Sequence, residues 1–235
     1  MSLHLQRQIS TLKKLLLGLG ARVEEAVQMS IDAVANRDAP AAQRVVSGDL
    51  SIDQDEVDIE EECLHTLALH QPVAFDLRYI VATLKIDSEL ERIGDLAVNI
   101  SELAILLAAE PPLQRLPFDL RGMSDTVTGM LQDSLDALVN IDPELAEDIR
   151  RRDDTVDQIH REMYVRVEQS IRTDPELVQP YIHLLGVSRH LERIADHAVN
   201  IAEDVIYMAR GDITRHNRPH PLGERSQAPS PTEKP

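Results

Sequence analysis

Residues 90–102 read Leu-Glu-Arg-Ile-Gly-Asp-Leu-Ala-Val-Asn-Ile-Ser-Glu, and residues 191–203 read Leu-Glu-Arg-Ile-Ala-Asp-His-Ala-Val-Asn-Ile-Ala-Glu. Ten of the thirteen positions agree at an offset of 101. A repeat of this kind constrains a fold more than local propensity does, because both copies must build the same elements. Upstream the echo runs at an offset of 104. Gln28, Ser30, Asp32, Ala33, Asn36 and Asp38 recur as Gln132, Ser134, Asp136, Ala137, Asn140 and Asp142, and Asp49, Asp53 and Gln54 recur as Asp153, Asp157 and Gln158. The change from 104 to 101 requires a three-residue difference, placed at His70-Gln71-Pro72 in one half and Thr173-Asp174-Pro175 in the other. The chain is an internal duplication.

Each half divides into three helical stretches. Asp38 and Asp142 sit where N-caps belong, each followed within two residues by a proline suited to a first helical turn. Pro72 and Pro175 mark the second break in each half. These signals predict helices near 3–36, 39–69 and 75–108, then 119–140, 143–172 and 177–210. Long helices with short links pack as antiparallel neighbours. The expectation is an all-α protein of two tandem, duplicated three-helix bundles, residues 1–110 and 118–210, with a single merged six-helix bundle as the variant. Residues 211–235, rich in proline and polar groups, are expected to form a disordered tail.

Composition agrees and narrows the function. Aromatic residues make up only 3% of the chain, too few to fill the pleated faces of a sandwich or barrel. The formal charge of -17, from 41 acidic against 24 basic residues, repels phosphate backbones and anionic headgroups. That argues against nucleic acid and for a basic partner or a cation. The single cysteine, Cys63, excludes an internal disulfide. The apolar run after Lys13-Lys14 is shorter than a signal-peptide core, and no stretch approaches the roughly 20 apolar residues of a membrane span. A soluble, cytoplasmic protein without direct membrane insertion is expected.

The carboxylates form a pattern. In the third helix Leu90, Ile93, Ala97, Ile100, Ala104 and Leu107 recur as a core stripe, while Glu91, Asp95, Asn99 and Glu102 form a second stripe rotated away from it. The repeat carries Glu192, Asp196, Asn200 and Glu203. Carboxylates at i and i+4 stand side by side; their repulsion costs an isolated helix a few tenths of a kcal/mol, roughly. Arg92 and Arg193 are candidates to offset it. On the second helix Asp49, Asp53, Glu56 and Glu60 share a line bordered by Val45, Val46, Val57 and Leu64, which points the line at neighbouring helices. The corresponding line is Asp153, Asp157, His160 and Tyr164.

Asp49 and Asp53 are therefore expected to meet Glu91 and Asp95, and Asp153 and Asp157 to meet Glu192 and Asp196. Such an oxygen-donor set suits Mg²⁺, Mn²⁺, Ca²⁺ or iron, with His160 a candidate nitrogen ligand. One such pair alone is most often a solvated helix face; four at equivalent positions of a duplication favour metal. Asp87, four before Glu91, would extend the first site, but its counterpart Ser188 weakens that case. Cys63 reads as a small buried residue, and His197, which replaces Leu96, as a tolerated helix-face substitution. His183 and His190 read as surface or interhelical polar groups. Two rivals remain: a ferritin-like di-iron enzyme, for which Glu62-Cys63-Leu64-His65 supplies only one of two expected Glu-x-x-His motifs, and a metal-free scaffold.

The duplicated Glu-Arg-Ile-x-Asp-x-Ala-x-Asn-Ile block resembles the PhoU family of phosphate-signalling proteins. So does the segment Gln71-Pro72-Val73-Ala74-Phe75-Asp76-Leu77-Arg78-Tyr79-Ile80, running on through Leu84-Lys85-Ile86 to Asp95; the likeness covers about residues 3–210. The resemblance implies multinuclear metal sites on E(D)xxxD motifs, here Asp49/Asp53, Glu91/Asp95, Asp153/Asp157 and Glu192/Asp196. The expected ion is divalent or trivalent: iron, manganese, magnesium or zinc. It further implies a non-enzymatic, cytoplasmic homodimer that negatively regulates phosphate uptake, linking the ATPase subunit of the phosphate ABC importer to a sensor histidine kinase.

Overall fold

A computed structural model describes residues 3–113, 116 and 119–211. It contains α1 (Leu3–Asn36), α2 (Ala39–His70), α3 (Ala74–Ala109), α4 (Leu120–Asn140), α5 (Pro143–Thr173) and α6 (Val178–Arg210), with a 3₁₀ turn at Pro175–Leu177 before α6. Helix ends fall within a residue or so of those predicted. The expected tail lies outside the described residues, apart from Gly211.

The caps explain this agreement. Asp38 accepts a hydrogen bond from the amide of Ala41 at the start of α2, and Asp142 accepts from the amides of Glu144 and Leu145 at the start of α5. The turns before them are duplicated down to the backbone. Arg37 and Ile141, 104 apart, both adopt left-handed conformations, with φ of 55° and 51°. The amides of Asp38 and Asp142 then donate to Ala33 and Ala137, at 3.0 and 2.9 Å. Arg37 also reaches across the bundle, its guanidinium donating to the carbonyls of Ala108 and Glu110 at the end of α3.

Leu12, Leu16, Leu19, Val23 and Val27 give α1 one buried stripe. Each such side chain contributes about 1.5–3 kcal/mol by leaving water. Helices α1, α2 and α3 pack as one bundle and α4, α5 and α6 as the other, and the two are joined mainly through α3 against α6. The predicted stripe from Leu90 to Leu107 is buried throughout. Each half is a three-helix bundle, and α3 and α6 pack against each other as extensively as against the helices of their own half.

The seam shows how the duplicates diverged. Lys85 on α3 pairs with Asp204 on α6 at 3.2 Å. The counterparts of these residues are Gly186 and Leu103, and there a Cβ on Gly186 would lie 2.9 Å from Leu103 Cδ1. An ion pair on one side of the seam is thus replaced by close apolar packing on the other. His197, expected to be an inert substitution, is buried here. Its Nδ1 lies 2.6 Å from Glu89 Oε2, which also accepts from Asn200 at 3.0 Å. Burial raises the Glu89 carboxyl, but the hydrogen bonds from His197 and Asn200 outweigh it and hold the group below its usual range.

Two carboxylate grooves and their electrostatics

Helices α2 and α3 must approach closely for their acidic faces to meet, and Gly94 permits this. A Cβ there would lie 3.1 Å from Ile52 Cγ2 and 3.3 Å from its Cδ1. The second half holds Val156 and Ala195 at the equivalent positions. A methyl group has moved from one helix to its neighbour, and the pair's carbon count is unchanged.

In the first half α2 supplies Asp49, Asp53, Glu56 and Glu60, and α3 supplies Asp95, Glu91 and Asp87. The Asp49 carboxyl is raised by burial, then by Asp53 and Asp95. Glu91 is raised by burial, Asp95, Glu56 and Asp53, against the opposing field of exposed Arg92. Glu56 is raised by burial, Glu60 and Asp53. One oxygen of Asp49, Oδ1, is buried without a hydrogen-bond partner. Asp49, Asp53, Glu91 and Asp95, the four carboxylates expected together, lie near enough across α2 and α3 to feel one another's charge, with Asp95 itself exposed. The border is not as expected: Val45 is buried, but Val57 and Leu64 are 43% and 54% exposed. The acidic line therefore runs between the core and an open apolar edge of α2.

Asp87, four residues before Glu91, points inward on α3. It is 2% exposed, its Oδ1 has no hydrogen-bond partner, and burial pushes it up to about 8, with Glu56, Glu60, Glu91 and Asp55 adding to the rise. Beside it Cys63 is fully buried, and its thiol is pushed up to about 12 by burial, then by Asp87, Glu62 and Glu60. That leaves an unreactive core thiol at neutral pH.

In the second half Glu192 is raised by burial, then by Asp157 and Asp153, with Arg189 and Arg193 opposing. Asp153 is buried, and Asp196 is half-buried one turn further along α6. His160 is turned toward α6, its Nδ1 2.6 Å from Ser188 Oγ and its ring edge-on to Tyr164. Each half thus brings acids of two helices near one another, with Asp49 and Glu192 partly desolvated. Among the described residues, no three His, Cys, Asp or Glu side chains converge tightly enough to hold a metal ion as they stand. Like charges keep such side chains apart, and a cation supplies the opposite charge that draws them in.

The PhoU domain model matches this chain twice, at residues 16–104 and 120–205. The chain belongs to the PhoU family. Each match spans one bundle, so this PhoU protein carries the domain in duplicate. It is 39% identical over 223 residues to the phosphate-specific transport system accessory protein PhoU homolog of Aquifex aeolicus, covering 94% of this chain and 100% of that one. The homolog from Caulobacter vibrioides is 38% identical over 201 residues, covering 86% and 87%. The crystal structure of PhoU from Pseudomonas aeruginosa superposes with a TM-score of 0.85 at 36% identity, covering 88% of this chain and 99% of that one. The phosphate transport system regulatory protein PhoU from Streptococcus pneumoniae gives 0.79 at 28% identity, covering 89% and 98%. The names its relatives bear are accessory and regulatory, and the chain is a non-enzymatic member of the family.

Proposed function

We propose that this PhoU protein is a cytoplasmic regulator that restrains phosphate uptake and phosphate-starvation signalling when phosphate is plentiful. It acts as a homodimeric adaptor, between the ATPase subunit of a phosphate ABC importer and a sensor histidine kinase. The observation that carries this reading is the match of both bundles to relatives named as accessory proteins of phosphate-specific transport systems, over nearly the whole chain. No helix among the described residues is long and apolar enough to cross a membrane, so contact with a membrane-bound importer or kinase would run through their protein surfaces.

The grooves serve this role as cation sites. Asp49, Asp53, Glu91 and Asp95 would hold ions in the first bundle, and Asp153, Asp157, Glu192 and Asp196 in the second. Raised carboxyls and the unpartnered Asp49 oxygen fit a hard, oxygen-seeking cation, because such an ion replaces the missing partner and offsets the crowding of negative charge. Binding would clamp α2 to α3 and α5 to α6, fixing the surface offered to partners. A metal-free scaffold is the second reading, favoured by the absence of three converged donors among the described residues. Titration of the purified importer ATPase with the full chain, followed by light scattering, tests the adaptor role. Saturable association is expected; no association at tens of micromolar, roughly the range of weak regulatory contacts, would count decisively against it.

A further inference from the structure

Helix α2 is apolar on two opposite faces. Val45, Ile52, Ile59 and Cys63 form its buried stripe against α1 and α3, its only neighbours among the described residues. On the other side Leu50, Val57 and Leu64 recur every seven residues and stand 77%, 43% and 54% exposed. Half-buried Val46 and exposed Ala68 continue this line at its two ends. A single exposed leucine is ordinary, but apolar side chains in one line along a helix are what it presents to another helix. The duplication shows that the fold does not need the line. The corresponding positions of α5 are Arg150, Asp154, Arg161, Glu168 and Arg172, every one charged, and there Arg172 pairs with Glu168.

We propose that the outer face of α2 is a docking surface for a partner helix whose own apolar stripe repeats every seven residues and is flanked by Lys and Arg. The inference rests on the adaptor reading in taking the partner to be another protein, and it goes further by naming where that partner is held and what its surface carries.

Charge decides the occupant. Helix α2 carries eight carboxylates and one arginine. Helical spacing puts Asp53 and Glu60 along one side of the stripe and Asp58 and Glu61 along the other. A second copy laid on this face would set these acids against their own kind, and an anionic membrane would meet the same repulsion. A helix with basic flanks instead buries Leu50, Val57 and Leu64 and neutralises both rims at once. From Leu50 to Leu64 the stripe runs about 21 Å at the helical rise, so the partner segment needs about four turns.

The probe is a fluorescein-labelled three-heptad peptide with Leu at both core positions and Lys at both flanking positions of each heptad. Its like-charged flanks keep its own copies apart. Anisotropy is read as the full chain is titrated in, for the wild type and for Leu50→Asp/Val57→Arg/Leu64→Glu. This variant copies the residues of α5 and adds two negative charges and one positive, so it stays as acidic as the wild type. Saturable binding by the wild type is expected, falling as salt rises. The variant should bind at least about tenfold more weakly, because three apolar side chains are no longer buried. The same peptide with Glu in place of Lys should not bind. Circular dichroism melts that coincide for the two proteins show that the variant is folded. Equal binding of the Lys peptide by both proteins would overturn the inference, since it would then report net charge alone; so would no binding by the wild type. A wild-type dimer in sedimentation that the variant does not form would also overturn it, assigning the face to a second copy. Importer ATPase that associates equally with both proteins would overturn the placing and leave the adaptor reading standing. ATPase that binds neither, beside a peptide that separates them, would overturn the adaptor reading and leave the docking face.

Discussion

Gly94 and Ile52 offer the sharpest test of how α2 and α3 are held together. Gly94→Ala removes a glycine from a helix interior, which by propensity alone stabilises by about 1 kcal/mol. The new Cβ would sit 3.1 Å from Ile52 Cγ2, with Asp49 Oδ1 also near at 3.9 Å. Overpacking of this sort costs about 1–2 kcal/mol, so the single change should be neutral or destabilising by about 1 kcal/mol. Ile52→Val alone opens a small gap and costs about 1 kcal/mol. Together they reproduce the Val156/Ala195 pair of the second bundle. Val lacks the Cδ1 that crowds the site, and its remaining branches have room to swing from the new methyl. The double variant should therefore keep most of the propensity gain. The expected coupling is about 2 kcal/mol in favour of the double variant, read from urea unfolding of the four proteins as a double-mutant cycle. Additivity within about 0.5 kcal/mol would refute the claim that the two residues share one volume.

The seam between the bundles should be sensitive to His197. His197→Leu restores the first-half residue but removes the shorter of the two hydrogen bonds to Glu89, whose side chain is only 13% exposed, and leaves it Asn200 alone; the loss should be about 1–2 kcal/mol, seen calorimetrically as a fall in Tm of roughly 2–8 °C. Glu89 titrates below its ordinary value of 4.5, so its contribution is present above that pH and lost as pH falls below it. Acid unfolding of Glu89→Gln should accordingly lack the part of the wild type's loss that falls below pH 4.5. At the start of α5, Asp142→Ala removes the acceptor of two amides and should cost about 1 kcal/mol, more than Asp38→Ala, which frees only one amide; thermal melts of the two variants compare them directly.

Much of this architecture is written in short-range signals. The Asp caps, the prolines after them and the repeated block specify where helices begin, and they do so twice. Which α2 acids face which α3 acids could also be anticipated, because helical spacing sets the face and the short link sets the antiparallel sense. The seam was less accessible. Glu89–His197 and Lys85–Asp204 join residues more than a hundred positions apart and occur on only one side of the duplication, so the repeat carries no echo of them. The burial of Asp87 is hidden for a related reason. Its counterpart Ser188 differs, and although the repeat shows Glu56 exchanged for His160, only the fold shows that His160 and Ser188 meet in a hydrogen bond. Differences between the halves, rather than their identities, mark the contacts that a repeat cannot reveal.

Restraint of phosphate uptake is the role proposed for this PhoU protein. It is tested most directly by measuring radiolabelled phosphate uptake in phosphate-replete cells from which the gene has been deleted, with and without the chain supplied again. Uptake is expected to stay high in its absence and to fall to the wild-type rate when it is restored. Uptake that is the same with and without the protein would contradict the account.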